Sequence, residues 1–321
     1  MKLYPDMFKE SAESKAPKGF WLNWLIYLLV MIIIMFAEGI VPSVMAMPKL
    51  MREMMNPENF NMNGSLEERI QQSVELSTQL LGDSTVMLVS LYCTVFGTIL
   101  AIVYCRSFEK RSLSSMGFRK KNILSHYLRG VVTGFVLFSA VALMPVVLGI
   151  SSIRVSSSIN IGMILAYLLG FFFQGMSEEV IMRGYFMNTL GGKSKPVIAV
   201  IVSSVMFGLL HAGNPGFGLF PLFNLSLYGV FAALYIIAFD DIWGACAIHS
   251  VWNFLQGNFY GMSVSGAYRV DSVFITESHS SNAFISGGAF GAEGNIFTTI
   301  VLVVAIAAVL VKISKQQKSA V

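Results

Sequence analysis

Charge is scarce in this chain. Asp, Glu, Lys and Arg make up 12% of its 321 residues, against 55% hydrophobic. A soluble domain carries about 25% charge and needs it to cover a wetted surface. The shortage excludes an ordinary soluble enzyme and points to a polytopic membrane protein. The net charge of +4 is too small and too scattered for a nucleic-acid binder. Only Cys93, Cys105 and Cys246 supply thiols; they form no CxxC pair and imply no disulfide framework. The first twenty residues are polar and lack the short apolar core of a secretory signal. HExxH and GxSxG are also missing, so neither a sequence-local zinc site nor a nucleophile elbow is written into the chain.

What is there instead is a series of apolar runs near the ~20 residues that a helix needs to cross a bilayer. Eight are read: 21–47, 85–104, 131–150, 161–173 continuing into a polar stretch, 196–211, 219–239, 242–260 and 296–311. The expected fold is all-α, a bundle of about eight transmembrane helices over 21–312. A polar tail 1–20 precedes it and a basic tail 313–321 follows, and the catalytic core falls at about 130–260. Lysine and arginine set the orientation. Lys2, Lys9, Lys15 and Lys18 precede the first span, six basic residues from Arg106 to Lys121 follow the second, Lys193 and Lys195 follow the fourth, and Lys312, Lys315 and Lys318 close the chain. The opposite loops hold only Lys49, Arg52, Arg69, Arg154 and Arg269. The bias predicts a cell-membrane protein with both termini in the cytoplasm. Ser65 and Glu68 form a capping-box pattern before a short amphipathic helix over 65–80. The Ser-, Gly- and Asn-rich loop 261–294 reads as irregular.

Polar groups inside a bilayer are expensive and mark function. Six stand out: Glu178, Glu179, Arg183, His211, His249 and Asn253. Adjacent Glu178 and Glu179 point about 100° apart on a helix and cannot share one task. Glu179 and Arg183 are four apart in the acid-first order that favours a pair. Glu178 is left without such a partner, as a general base would be. His211 ends an apolar run, where it either marks a helix exit or orients a water. His249 and Asn253 share one helix face, and an asparagine amide can donate two hydrogen bonds to an oxyanion. Trp252 lies off that face and is read as packing. Glu38 is read as structural, by snorkelling or helix contact. Asp240 and Asp241 suit a helix N-terminus, and His126 reads as an ordinary surface histidine.

Two chemistries remain open. Glu178, His211 and His249 can bind zinc if three helices assemble them. Without metal, Glu178 is the base, His211 orients water, and His249 with Asn253 meets the oxyanion. The better expectation is that no cofactor is required, with zinc as the alternative. Depth is a difficulty for both. At 1.5 Å per residue, counting from the cytoplasmic helix ends spreads Glu178, His211 and His249 over roughly 14 Å.

The motifs EEVIMR at 178–183, FGLLH at 207–211 and HSVWN at 249–253 together resemble the CAAX-processing and bacteriocin-processing family, also called the type II CAAX prenyl endopeptidases. The resemblance covers about 165–257. It implies an intramembrane endopeptidase with a conical cavity open toward the cytoplasm, described either as a metalloprotease or as a glutamate-type protease. It also implies that Glu178 and His211 activate water, that Glu179 and Arg183 brace the site, and that His249 and Asn253 form the oxyanion side. The implied partners are lipid and a membrane-associated protein or peptide substrate, prenylated or not, with no nucleic acid. The alternatives are a non-catalytic scaffold or self-immunity protein that retains the fold, and a transporter, for which the sequence shows no inverted repeat.

Overall fold

The computed structural model describes residues 4–267 and 271–318; Lys2 and Arg269 of the charge count lie outside them. In chain order the helices are α1 (Asp6–Ala12), α2 (Phe20–Met55), α3 (Leu66–Leu81), α4 (Ser84–Cys93), α5 (Val95–Ser107), α6 (Ile123–Val147), α7 (Ile161–Glu179), α8 (Asn188–Lys193), α9 (Pro196–Leu209), α10 (Leu219–Phe239), α11 (Trp243–Phe254), α12 (Ala283–Ser286) and α13 (Ile296–Lys318). Strands β1 (Ser151–Val155) and β2 (Phe274–Ser278) pair antiparallel. A π-helical segment, Val180–Met187, joins α7 to α8, and another, Leu255–Phe259, extends α11.

The all-α expectation holds for the bundle, but the number of spans differs. Among the described residues, six helical stretches are long and apolar enough to cross a membrane: Phe20–Met55, Ser84–Ser107, Ile123–Val147, Ile161–Lys193, Leu219–Phe239 and Ile296–Lys318. The other two expected spans are short. The 14 residues of α9 cover about 21 Å, less than the ~30 Å hydrocarbon core. His211, Gly213 and Pro215 follow it and end the run. The 12 residues of α11 start inside the bundle, as described below.

The outer faces of α2, α6 and α13 are apolar and exposed, with Ile33, Phe36, Val132, Val136 and Val304 among them. Inside, small residues let helices approach closely. A Cβ at Gly130 on α6 would lie 2.2 Å from the Gly244 carbonyl oxygen of α11, and one at Gly175 on α7 would lie 2.5 Å from the Ser250 amide nitrogen.

Both described ends of the chain meet at one end of the bundle. The Met7 amide donates to Asp240 at 3.3 Å, and Arg119 pairs with Glu10 and Asp240, each at 2.6 Å. Lys312 lies 4.6 Å from the Phe239 ring centre on the same rim. This end is closed by a buried plug from the segment after α5. Fully buried Arg111 pairs with Glu109 at 3.1 Å and donates to the Gly184 and Ser115 carbonyls, each at 2.9 Å, and to Thr189 Oγ1 at 2.7 Å. Above the plug, Ile242 rests on Gly117 and Gly184. Helix α11 therefore begins at the level of the middle of the α7–α8 rod rather than at the bundle rim.

Three local expectations are refined. The capping box forms: Ser65 N donates to Glu68 Oε2 at 2.8 Å, and Glu68 N to Ser65 Oγ at 3.2 Å. His126 is not a free surface histidine, because its ring contacts the buried carboxylate of Asp241, which also accepts from Gly244 N at the start of α11. Loop 261–294 is not wholly irregular: its β-prone run 274–276 pairs with β1 in the register Ser151↔Ser278 to Val155↔Phe274.

Candidate active site

Helix α7 turns its two adjacent carboxylates into different surroundings. Glu179 and Arg183 are fully buried, and Arg183 Nη1 donates to Glu179 Oε1 at 3.2 Å. The i,i+4 pair survives although the backbone turns π-helical at Val180; such turns often accompany functional sites. Glu179 Oε1 also receives His249 Nδ1 from α11 at 2.8 Å. The Arg183 guanidinium lies 4.7 Å from the ring centre of Phe207 on α9. One buried ion pair thus ties α7, α9 and α11 together.

Glu178 sits on the other side. Its Oε1 accepts a short hydrogen bond from Gln174 Nε2, one turn earlier on the same face. Its Oε2 has no hydrogen-bond partner among the described residues; the nearest basic atom is His249 Nε2 at 3.6 Å. Gln174 Oε1 in turn accepts from Asn253 Nδ2 at 2.9 Å. A carboxylate only accepts, so Gln174 must turn its amide nitrogen to Glu178, which fixes its oxygen toward Asn253. The same logic makes His249 Nδ1 the donor to Glu179, which leaves His249 Nε2 facing Glu178 Oε2 beyond hydrogen-bond distance.

His211 lies in the turn just past α9. Its Nδ1 donates to the Phe207 carbonyl at 2.9 Å, which leaves Nε2 as an acceptor. His211 and Glu178 line two adjoining cavities. One, of about 250 Å³, is also lined by Gln174, Tyr228, His249, Trp252 and Asn253. The other, of about 270 Å³, lies against α2 and is lined by Glu38 and Ser177 as well. Trp252 wedges beside the first, packed on Phe138 and Tyr228 with ring centres 5.2 and 5.5 Å away. The six residues singled out in the sequence thus form one connected region.

The depth difficulty disappears with the plug. Gly184, where Ile242 rests, is six residues from Glu178, and Trp243 is six residues from His249; each is a rise of about 9 Å. The end where the two described chain ends meet is closed by Arg111 and its partners. The first cavity runs toward the opposite end, where Val264, Ser265, Ala267 and Glu293 of the 261–294 loop wall it.

Sequence reasoning missed four residues. Gln174 was legible as the i−4 neighbour of Glu178. Tyr228, almost fully buried, keeps its hydroxyl without a hydrogen-bond partner among the described residues, beside His249 at 5.2 Å between ring centres; nothing local distinguishes it from packing. Glu293 accepts from Gln256 Nε2 at 2.6 Å, Ser265 N at 2.9 Å and Ser265 Oγ at 2.8 Å. It stands outside the membrane-crossing helices, and burial pushes its carboxyl above the ordinary range against the pull of those donors. Its partners lie 28 and 37 residues away, beyond any local signal. Glu38, read as structural, faces the second cavity.

His249 uses Nδ1 on Glu179 and His211 uses Nδ1 on the Phe207 carbonyl, which leaves Nε2 as the only ring atom either could offer a metal. Among the described residues no group of three or more His, Cys, Asp or Glu side chains is placed to hold a metal ion.

No curated protein and no solved structure matches the chain. Residues 160–255 match the family model described as type II CAAX prenyl endopeptidase Rce1-like, a stretch that contains Gln174 and all six of the residues above. Membership of the Rce1-like CAAX protease family is shown over that part of the chain.

Proposed function

We propose that this protein is an intramembrane endopeptidase that hydrolyses peptide bonds of a membrane-associated protein or peptide with water activated by Glu178. The observation that supports it most is the division of labour in the Glu178–Glu179 pair. Glu179, fully buried, has its Oε1 held by both Arg183 and His249 and has a bracing role. Glu178 presents an unpartnered oxygen to a cavity that also holds His211.

In this reading Glu178 Oε2 takes a proton from a water held by His211 Nε2, and the water oxygen attacks the scissile carbonyl carbon. The carbonyl electrons move to oxygen. Asn253 has one amide hydrogen left after its bond to Gln174, and that hydrogen meets the oxyanion, joined by His249 when its Nε2 carries a proton. Collapse breaks the C–N bond, and the proton held by Glu178 passes to the leaving amine. Gln174 keeps Glu178 Oε1 occupied, so Oε2 is the basic atom. The cycle uses no metal. Helices α9 and α11 are taken as the seventh and eighth crossings, and the lysine and arginine bias puts both termini in the cytoplasm, with lipid around the bundle. The site then works in the half of the membrane away from the termini.

The test is detergent-purified protein against a quenched peptide library, wild type beside Glu178→Ala, with metal analysis of the active sample. Cleavage by the wild type alone, with zinc far below one per chain and no loss on chelation, supports the reading. Near-stoichiometric zinc, with activity lost on chelation and restored by zinc, overturns the metal-free route. No cleavage at all would favour a non-catalytic scaffold or self-immunity protein.

A further inference from the structure

Glu38 stands mid-way along α2, a span in which a lone carboxylate is costly. None of the ion pairs among the described residues involves it. Its Oε1 reaches across α5 at Gly97, where a Cβ would lie 2.2 Å from that oxygen and 2.7 Å from Ser177 Oγ on α7. Glycine at 97 is what leaves room for both oxygens. Ser177 is 1% exposed, and its hydroxyl has no hydrogen-bond partner among the described residues; leaving such a group unpaired costs about 1–3 kcal/mol. Both side chains line the 270 Å³ cavity that also holds Glu178 and His211. Its other walls are mostly apolar and pliant, with Met31, Met35, Met182 and Leu210 among them beside Thr94 and Asn214.

The chemistry that satisfies these groups together is a compact cation on a flexible aliphatic stem. We propose that this cavity is a substrate subsite for a lysine side chain, whose ammonium binds Glu38 and Ser177 Oγ. The four-carbon stem lies along the methionines, which adapt to an irregular shape. An ammonium offers three donors that can turn to acceptors on different helices, whereas guanidinium is a planar fork suited to one bidentate carboxylate. Glu38 and Ser177 approach from α2 and α7, the geometry that suits lysine. Because the cavity also contains Glu178 and His211, the lysine lies a few residues at most from the bond to be cut. The assignment rests on the peptidase reading for its place in a reaction, but not for the binding itself.

The experiment uses the full chain in detergent and a family of quenched fluorescent peptides. Each carries lysine, arginine or norleucine at one position, scanned outward from the centre. Binding is read by anisotropy and turnover as kcat/KM. At one position lysine binds at least about tenfold tighter than norleucine, the scale of one charge-assisted hydrogen bond, and tighter than arginine. In Glu38→Gln that ratio falls toward one, and Glu38→Asp keeps most of it. Should Glu38→Gln fail to fold, Gly97→Ala, whose methyl displaces Glu38 Oε1, loses the ratio in its place. An unchanged lysine-to-norleucine ratio in the folded variant, or arginine preferred to lysine, overturns the subsite. Lysine-selective, Glu38-dependent binding without cleavage upholds the subsite and sinks the peptidase reading. Cleavage without lysine selectivity does the reverse.

Discussion

Replacing Arg183 by alanine strips Glu179 of its only guanidinium partner. The two side chains are fully buried, 3.2 Å apart, and Glu179 Oε2 already lacks a hydrogen bond. After the substitution the carboxylate keeps only His249 Nδ1. Removing one member of a buried pair costs about 3–5 kcal/mol, because a charge is left without compensation. The guanidinium stack on Phe207 adds about 0.5–2 kcal/mol, so a loss of several kcal/mol is expected. Uptake of a proton by Glu179 sets the ceiling. The double variant Arg183→Met with Glu179→Gln removes both charges and should recover most of the loss, since apolar replacement of a whole buried pair is often neutral. Detergent unfolding of wild type, single and double variants measures this, with activity recorded alongside. A single variant that melts like the wild type while catalysis is dead would refute the bracing argument and move Arg183 into the chemistry.

Gln174→Leu frees Glu178 Oε1 and unties Asn253, so kcat should fall by about tenfold to a hundredfold with little change in melting; equal activity would remove Gln174 from the site. Gly175→Ala drives a methyl into the Ser250 backbone on α11 and should destabilise by about 1–3 kcal/mol, read by unfolding in detergent. Glu293 gives a pH signature. Its folded-state pKa is raised, so its contribution is fully present below the unfolded value of about 4.3 and fades as pH rises through the folded value. Melting temperature should therefore fall over that interval, and Glu293→Gln should flatten that part of the curve; an identical slope in both proteins would contradict the assignment.

The parts of this site legible in the sequence are those fixed by helix periodicity. Glu179 and Arg183 meet because they are four apart on one rod, and Glu178 is left over for the same reason. Gln174 obeys the same spacing and was equally readable. The convergence of Glu178, His211 and His249 was carried by motif resemblance, since no local rule joins three helices. What periodicity could not show is the inserted plug. Arg111 reaches Gly184 and Thr189 across 73 and 78 residues, and Ile242 N donates to the Gly117 carbonyl of the same segment at 2.9 Å just before α11. Counting spans by hydropathy missed it, because an apolar run looks the same whether it starts at the membrane surface or inside the bundle. The pairing of β1 with β2 and the contact of His126 with Asp241 are likewise long-range. Glu38 read as structural because its neighbours Gly97 and Ser177 are contributed by other helices.

The central claim is that two adjacent glutamates have separate tasks, and a matched pair of amides tests it most directly. Glu178→Gln and Glu179→Gln are purified in parallel and compared in peptide turnover and in melting. The account predicts that Glu178→Gln abolishes turnover while melting like the wild type, and that Glu179→Gln, which leaves Arg183 buried without its counter-ion, melts lower. Retained turnover in folded Glu178→Gln, or wild-type melting in Glu179→Gln, would contradict it.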